Sequence, residues 1–393
     1  MHPQGRTLFS LCDNDMASRQ PTVRVQDITG LLNRLYPPQF AEDWDNVGLQ
    51  VGDPQAAVTK ILVCLDPTCA ALEQAAAGNA QLVISHHPLI FRPLKSLTPS
   101  DATGKLVWQA ARAGIAVASV HTNLDRARPG LNDWLAERLQ LHDTTPLQFG
   151  QGQELFKLVV FVPATHLDQV AETLFGAGAG QIGNYDRCSF RTDGIGTFRA
   201  GAGAEPFIGR QGEMAAVDEV RFEALVPAEQ LARVTQKLLK AHPYEEVAYD
   251  LLPLANRRED IGLGRIGRLA QAVALEAFAG QVQAALGCDA LRWVGEPTRR
   301  VSKVALCGGS GASLLADAVR QGADVLVTGD VKYHDAKIAQ ELNIGLIDAG
   351  HFATEHLMVG QLASTLRLAV AERNWSLEVI PMTGELDPFQ YKS

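Results

Sequence analysis

At 393 residues the chain has room for two or three domains with sizeable cores. Its 35 Lys and Arg against 44 Asp and Glu give a formal net charge of −9, which argues against nucleic acid as a partner, because sequence-independent phosphate binding wants a basic face. Small anionic substrates stay open, since a bound metal ion can reverse the local charge. The six cysteines, at positions 12, 64, 69, 188, 288 and 307, form no Cys-x-x-Cys pair and no disulfide-like spacing. Cys64 and Cys307 fall in strand-like runs and read as small core hydrophobes. No apolar run reaches the length of a membrane span, and the N-terminus lacks a charged-then-apolar signal pattern, so a cytoplasmic protein without a membrane partner is expected. Residues 1–22 are polar and irregular and read as a disordered N-terminus in which Met16 is a second candidate start.

From about Val23, short apolar strands alternate with amphipathic helices, the pattern of an α/β sheet covered by helices. Strand Ile61–Leu65 leads to helix Ala70–Ala77, strand Leu82–Ser85, helix Lys105–Ala113 and strand Ile115–Val120, which ends at His121-Thr-Asn-Leu-Asp125. The texture then changes. Strand Glu154–Pro163, helix His166–Phe175, a hairpin over Arg187–Phe198, strand Glu219–Val226, helix Glu229–Ala241 and strand Val247–Leu252 give a β-α-β-β-α-β order, an α+β ferredoxin-like unit. Turn-rich flanks at Gln148–Gly152 and Pro253–Asp260 set off residues 151–255 as an insertion in a discontinuous α/β core of residues 23–150 and 256–393. The C-terminal third returns to the first plan: strand Val301–Leu306, tight loop Gly308–Gly311, helix Ser313–Gln321, strand Asp324–Val327, helix Lys332–Leu342 and strand Ile344–Ile347, running into Asp348-Ala-Gly-His351. Gln81–Asp125 and Ala323–Glu355 share the order strand, polar loop, helix, strand, polar terminus. Two related halves would show this, and so would generic α/β alternation.

The chemistry concentrates at strand ends, where open parallel sheets place their sites. His86 and His87 close the apolar run Gln81-Leu-Val-Ile-Ser85. Adjacent side chains on an extended segment point to opposite faces, so two neighbouring imidazoles reach two ions side by side more easily than one. A two-metal centre also needs carboxylates to bridge and balance charge. His351 and Glu355, four residues apart, share one face of a helix beginning near Phe352, which makes Glu355 a natural bridge. His356 is rotated roughly 100° from Glu355 and points away. With Asp125 the candidate set is His86, His87, Asp125, His351 and Glu355. Taken singly, each part has an ordinary reading: an exposed strand-end pair, a helix-face pair, a turn residue before Pro129-Gly130. Mixed imidazole and carboxylate donors suit zinc, iron or manganese, without choosing among these divalent ions.

Other residues have two readings each. His121 can hold a ligand in place or move protons, or be a hydrogen-bonded structural histidine. Asp330 shares a helical face with His334 but equally suits the N-cap of the following helix, and His334 is near the site by position only. Gly308–Gly311 could offer amides to a phosphate, although it lacks the Lys-Ser/Thr of a Walker loop and a tight turn is the simpler reading. His242-Pro-Tyr-Glu-Glu246 has ligand-type residues in a place that favours a turn or an interface.

His86-His-Pro-Leu-Ile-Phe91, His121-Thr-Asn-Leu-Asp125, Thr328-Gly-Asp330 with His334, and Gly350-His-Phe-Ala-Thr-Glu355 resemble, in order, the motif series of the NIF-three-like family, also called GTP cyclohydrolase 1 type 2 homologues. Trp44-Asp-Asn-Val-Gly-Leu-Gln-Val-Gly52 is similar to that family's opening motif, and the central segment resembles the PII-like or CutA-like insert of its longer members. The resemblance implies two divalent metal ions per chain at His86, His87, Asp125, His351 and Glu355, in a toroidal homohexamer. It also implies a hydrolase that uses metal-activated water to open the imidazole ring of GTP and release formate, with His121 or His334 moving protons. Another metal-dependent phosphoester or amide hydrolase fits the same residues, as does a non-enzymatic metal-binding or regulatory scaffold.

Overall fold

A computed structural model describes residues 22–150, 154–256 and 258–390 of the chain. The expectation of a disordered start therefore lies, apart from Thr22, outside the described residues. Three sheets organise the rest. The first runs in the order Gly48–Val51, Ala116–Ser119, Leu82–Ser85, Lys60–Cys64 and Glu378–Pro381, with only the Gly48–Val51 edge antiparallel. The second runs Arg292–Val294, Gly345–Asp348, Val325–Thr328, Arg300–Leu306, Gly262–Ala274 and His142–Phe149. Its three parallel strands lie behind an antiparallel edge, as in the first sheet. In both, the antiparallel edge strand borders the third of three parallel strands taken in chain order, followed by the second and the first, and in the first sheet Glu378–Pro381 adds a fourth parallel strand beyond them.

The central parallel strands are short and largely apolar because both of their faces are covered. Leu82–Ser85, Ala116–Ser119, Val325–Thr328 and Gly345–Asp348 are buried along their whole length. One face of the first sheet packs on helix Val25–Leu35 and on helix Leu357–Glu372, whose Met358, Leu362 and Leu366 are fully buried. The other face takes helices Cys69–Ala77 and Ala102–Ala113. Those two helices start where the sequence supplies caps. Thr68 Oγ1 accepts from Ala71 N, and Asp101 Oδ1 accepts from Gly104 N at 2.7 Å.

Between the two core segments lies a β-α-β-β-α-β unit: strand Leu155–Pro163, helix Leu167–Ala177, strands Ser189–Arg199 and Met214–Pro227, helix Leu231–Ala241 and strand Tyr249–Pro253. Its antiparallel sheet has the order Ser189–Arg199, Met214–Pro227, Leu155–Pro163, Tyr249–Pro253. The expected hairpin within Arg187–Phe198 is replaced by one strand, Ser189–Arg199, paired along its length with Met214–Pro227. The glycines at 194 and 196 sit inside that strand rather than at a turn. The C-terminal helix also differs: it is broken into His351–Glu355 and Leu357–Glu372 around His356. No helix among the described residues is long and apolar enough to cross a membrane.

The two core segments are joined by buried polar contacts as well as apolar packing. Arg265, fully buried in strand Gly262–Ala274, holds both Asp133 carboxylate oxygens at 2.7 Å and donates to the carbonyls of Ala127, Gly262 and Gly264. Asn132, also buried, donates to Asp125 O and accepts from Gly308 N, each at 2.9 Å. The short helix Thr122–Arg126 and the start of helix Leu131–Arg138 are thus tied to the Gly308 loop of the other segment just behind the strand ends.

Candidate metal centre

Six parallel strands point their carboxyl ends into one region. Asp66 follows Lys60–Cys64, His86 and His87 follow Leu82–Ser85, and His121 and Asp125 follow Ala116–Ser119. From the second sheet come Gly308–Gly311 after Arg300–Leu306, Asp330 after Val325–Thr328, and His351 and Glu355 after Gly345–Asp348. The five residues His86, His87, Asp125, His351 and Glu355 are brought together there.

Glu355 lies at the middle. Its Oε2 is 3.0 Å from His87 Nε2 and 2.9 Å from His351 Nε2. Its Oε1 is 3.7 Å from His86 Nε2, which is itself 3.6 Å from Asp125 Oδ1. The two neighbouring histidines therefore address different oxygens of one carboxylate. His87, His351 and Glu355 form one group of donor atoms within 4.8 Å of each other, and His86, His87 and His121 form another. Each group is of a kind that can hold a metal ion.

The outer nitrogens explain why the inner ones converge. His86 Nδ1 is 2.9 Å from Val120 O, His87 Nδ1 is 2.7 Å from Asp66, His121 Nδ1 is 2.9 Å from Asp45, and His351 Nδ1 is 2.7 Å from Asp330. An imidazole tied by its outer nitrogen to a carboxylate or carbonyl is fixed in ring orientation, and in tautomer when neutral, with Nε2 free to ligate. Spacing alone singled out neither Asp45 nor Asp66. Their one signal is position, Asp66 just past a parallel strand and Asp45 inside the Trp44-Asp-Asn-Val-Gly motif.

Without a cation the cluster is electrostatically unfinished. Burial pulls the His87 imidazole down, yet its bonds to Asp66 and Glu355 outweigh that and push it up to about 10. The bond to Glu355 lifts His351 to about 9 against the opposing effect of burial. Burial also raises the Asp125 carboxyl well above the usual carboxylate range. Glu355 goes the other way: burial opposes its charge, but the surrounding imidazoles hold it well below its ordinary value. His86 Nε2 and Asp125 Oδ1 are buried with no hydrogen-bond partner. At 3.6 Å they are too far apart to bond each other. Two donors sharing one tetrahedral cation at ordinary bond lengths stand roughly 3.3–3.6 Å apart. The orphaned pair and the donor set fit a cation.

The remaining sequence candidates separate. His121 joins the cluster, its ring centroid 5.1 Å from that of His86. Asp330 is not a helix cap: Lys332 precedes helix Tyr333–Glu341, Asp335 accepts from its amide, and Asp330 instead accepts from Ser310 Oγ and pairs with His351. Its backbone there is left-handed, φ 54, a conformation Asp tolerates better than most residues. His334 lies exposed on that helix, edge-on to Tyr333, with no bond to the cluster among the described contacts. His356 stacks on Phe352, ring centroids 4.5 Å apart, and turns toward Glu385. Gly308–Gly311 shapes the centre. A Cβ on Gly309 would fall 2.2 Å from Glu355 Oε1, and Gly309 N donates to Thr354 Oγ1. His242 is satisfied by backbone, Nε2 to Phe161 O and Nδ1 to Tyr244 N.

With this geometry in view, the similarities to known proteins are specific. Residues 23–388 match the family model Duf34/NIF3 (NGG1p interacting factor 3). The chain is 40% identical over 366 residues to the "GTP cyclohydrolase 1 type 2 homolog" of Halalkalibacterium halodurans, covering 93% of this chain and 98% of that one. It is 37% identical over 370 residues to the protein of the same description from Bacillus subtilis, covering 94% and 99%. Among solved structures, a Bacillus cereus protein related to NIF3 superposes with a TM-score of 0.86 at 38% identity, covering 95% of this chain and all of that one.

Proposed function

Because the chain belongs to the Duf34/NIF3 family, we propose that it is a dinuclear metal-dependent hydrolase of the GTP cyclohydrolase 1 type 2 kind. His86, His87, Asp125, His351 and Glu355 would hold the ions, Glu355 with one oxygen facing His86 and the other facing His87 and His351. The observation that carries this reading is the pairing of four outward-tied imidazoles with two orphaned buried donor atoms. Two divalent cations, zinc, iron or manganese, would acidify water there and polarise the bond under attack. The chain's own part is to hold the donors, keep the cluster buried, and move protons through His121, which Asp45 fixes beside His86. With GTP, one water would add at C8 and open the imidazole ring to a formamide, and a second would hydrolyse that formamide so that formate leaves. The same reading takes the chain as a cytoplasmic homohexamer and the central unit as a ferredoxin-like insert, the latter supported by its strand order.

One observation favours a second reading. A cavity of about 670 Å³ opens beside His87 and His351, and its rim carries Asp66, Asp330, Asp348 and Asp387 against one arginine, Arg292. Arg292 is already paired with Asp348 at 2.8 Å. A rim of carboxylates suits an uncharged amide better than a triphosphate.

Metal analysis of the purified chain, followed by turnover of the metal-loaded protein on GTP and on a panel of amides, tests both. Formate release from GTP that is lost in Glu355→Ala supports the first. Amide turnover without formate supports the second, and metal content far below two ions per chain even after reloading removes the basis of both.

A further inference from the structure

The central unit carries a second built cavity that the metal centre does not use. Its sheet packs one face on helices Leu167–Ala177 and Leu231–Ala241 through Leu158, Val160, Phe222 and Ala224. Side chains alternate along a strand, so Glu219 and Arg221 belong to the opposite face. There the structure leaves a cavity of about 660 Å³, within the range of small-molecule sites.

Three rings wall this cavity. Phe198 and Phe207 stand 6.2 and 6.3 Å from Tyr244 by centroid, inclined at 61° and 50° to it, so they form a box rather than a stack. At its floor lies Glu219, 9% exposed. Its single hydrogen bond is from Tyr244 Oη, at 2.8 Å, and no ion pair reaches it among the described residues. Arg221, next along the same face, is turned to Glu223, Nε to Oε1 at 2.9 Å. Arg199, also at the rim, follows Phe198 and so projects to the other side of its strand. Gly196 makes the arrangement possible, because a Cβ there would fall 2.0 Å from Glu219 Oε2. Glu245 and Glu246 add negative charge at the edge.

A buried carboxylate without a counter-ion is costly. Aromatic faces set around a void attract cations through their quadrupoles. We propose that this cavity binds a small organic ammonium ion, with Glu219 as counter-ion and Phe198, Phe207 and Tyr244 as the cage. The site is independent of the metal reading, since it lies on a different sheet.

The test is titration of the metal-loaded full chain with choline and with its neutral isostere 3,3-dimethylbutan-1-ol, followed by calorimetry or by protein NMR. Choline should bind at least roughly tenfold tighter than the isostere. Glu219→Gln, which can still accept from Tyr244, and Phe207→Ala should each weaken choline by about tenfold or more. Tyr244→Phe, which keeps the ring, should stay within a few-fold, and all three variants should keep wild-type zinc affinity. Absence of choline binding, equal binding of the isostere, or an unchanged Glu219→Gln variant overturns the proposal. So does sedimentation showing that Phe207→Asp dissociates an assembly that the wild-type chain forms, because the cavity is then a contact between copies.

Discussion

Replacing Asp66 by alanine separates the orienting role of a carboxylate from the rest of the centre. Asp66 reaches the cluster through one bond, Oδ1 to His87 Nδ1 at 2.7 Å, and its side chain is 49% exposed. Truncation therefore opens no cavity and strands no buried charge. What it removes is the restraint that aims His87 Nε2 at Glu355. Loss of such an outer partner costs about 10–100-fold in metal affinity, which is roughly 1.4–2.7 kcal/mol. The folding cost of losing a half-exposed pair should stay below about 1 kcal/mol. Asp330→Ala makes the corresponding cut at His351, where Oδ2 lies 2.7 Å from Nδ1 and the carboxylate is 43% exposed, with a further backbone cost of about 1 kcal/mol for alanine at φ 54 to be subtracted from its stability loss. Zinc competition against a fluorescent chelator, set beside urea unfolding of the stripped protein, reads both quantities. Unchanged zinc affinity in both variants, or a fall matched by an equal loss of metal-free stability, would refute the idea that these carboxylates act by aiming rings.

Three further outcomes are expected. Arg265→Met keeps the bulk of the stem but strands the Asp133 carboxylate and three buried carbonyls, so unfolding should cost about 3–5 kcal/mol less, read as a lower urea midpoint; a loss under about 1 kcal/mol would show the network is dispensable. Zinc must displace protons from His87, held at about 10, and His351, held at about 9. Affinity should therefore climb as pH rises from neutrality toward 9 and fall on acidification, with proton release measurable in weak buffer; a flat profile contradicts it. Gly309→Ala, at φ 59 with its Cβ 2.2 Å from Glu355 Oε1, should lose roughly 1–2 kcal/mol from the backbone alone, and displacing Glu355 should lower zinc affinity beyond that.

The parallel strands were legible because burial on both faces makes them unbroken apolar runs, as in Leu82–Ser85 and Val325–Thr328. The antiparallel strands beside them were not. His142–Phe149 contains Pro146 and is buried only in part, and Gly262–Ala274 is interrupted by Arg265, a charge that belongs inside only because Asp133 and three carbonyls meet it. The segment read as a hairpin over Arg187–Phe198 is a single strand whose Gly196 leaves room for Glu219 in the neighbouring strand. In each case the missing information is a contact between distant segments.

The same division runs through the site. The cluster's imidazoles and Glu355 announced themselves by residue type and spacing, but Asp45 and Asp66 look like any loop aspartate until the sheets bring the strand ends together. Neither segment makes the centre alone. The first supplies His86, His87 and Asp125, with Asp66 behind them; the second supplies His351 and Glu355, with Asp330 behind them. Glu355 reaches across to both histidines of the first segment, and Asn132 ties Asp125 to Gly308. A cation held by His87 together with His351 and Glu355 gains that affinity only when the two segments are docked, so that binding free energy is also free energy of docking. Loading should for that reason protect the Arg265–Asp133 seam from hydrogen exchange, although no metal ligand lies in it.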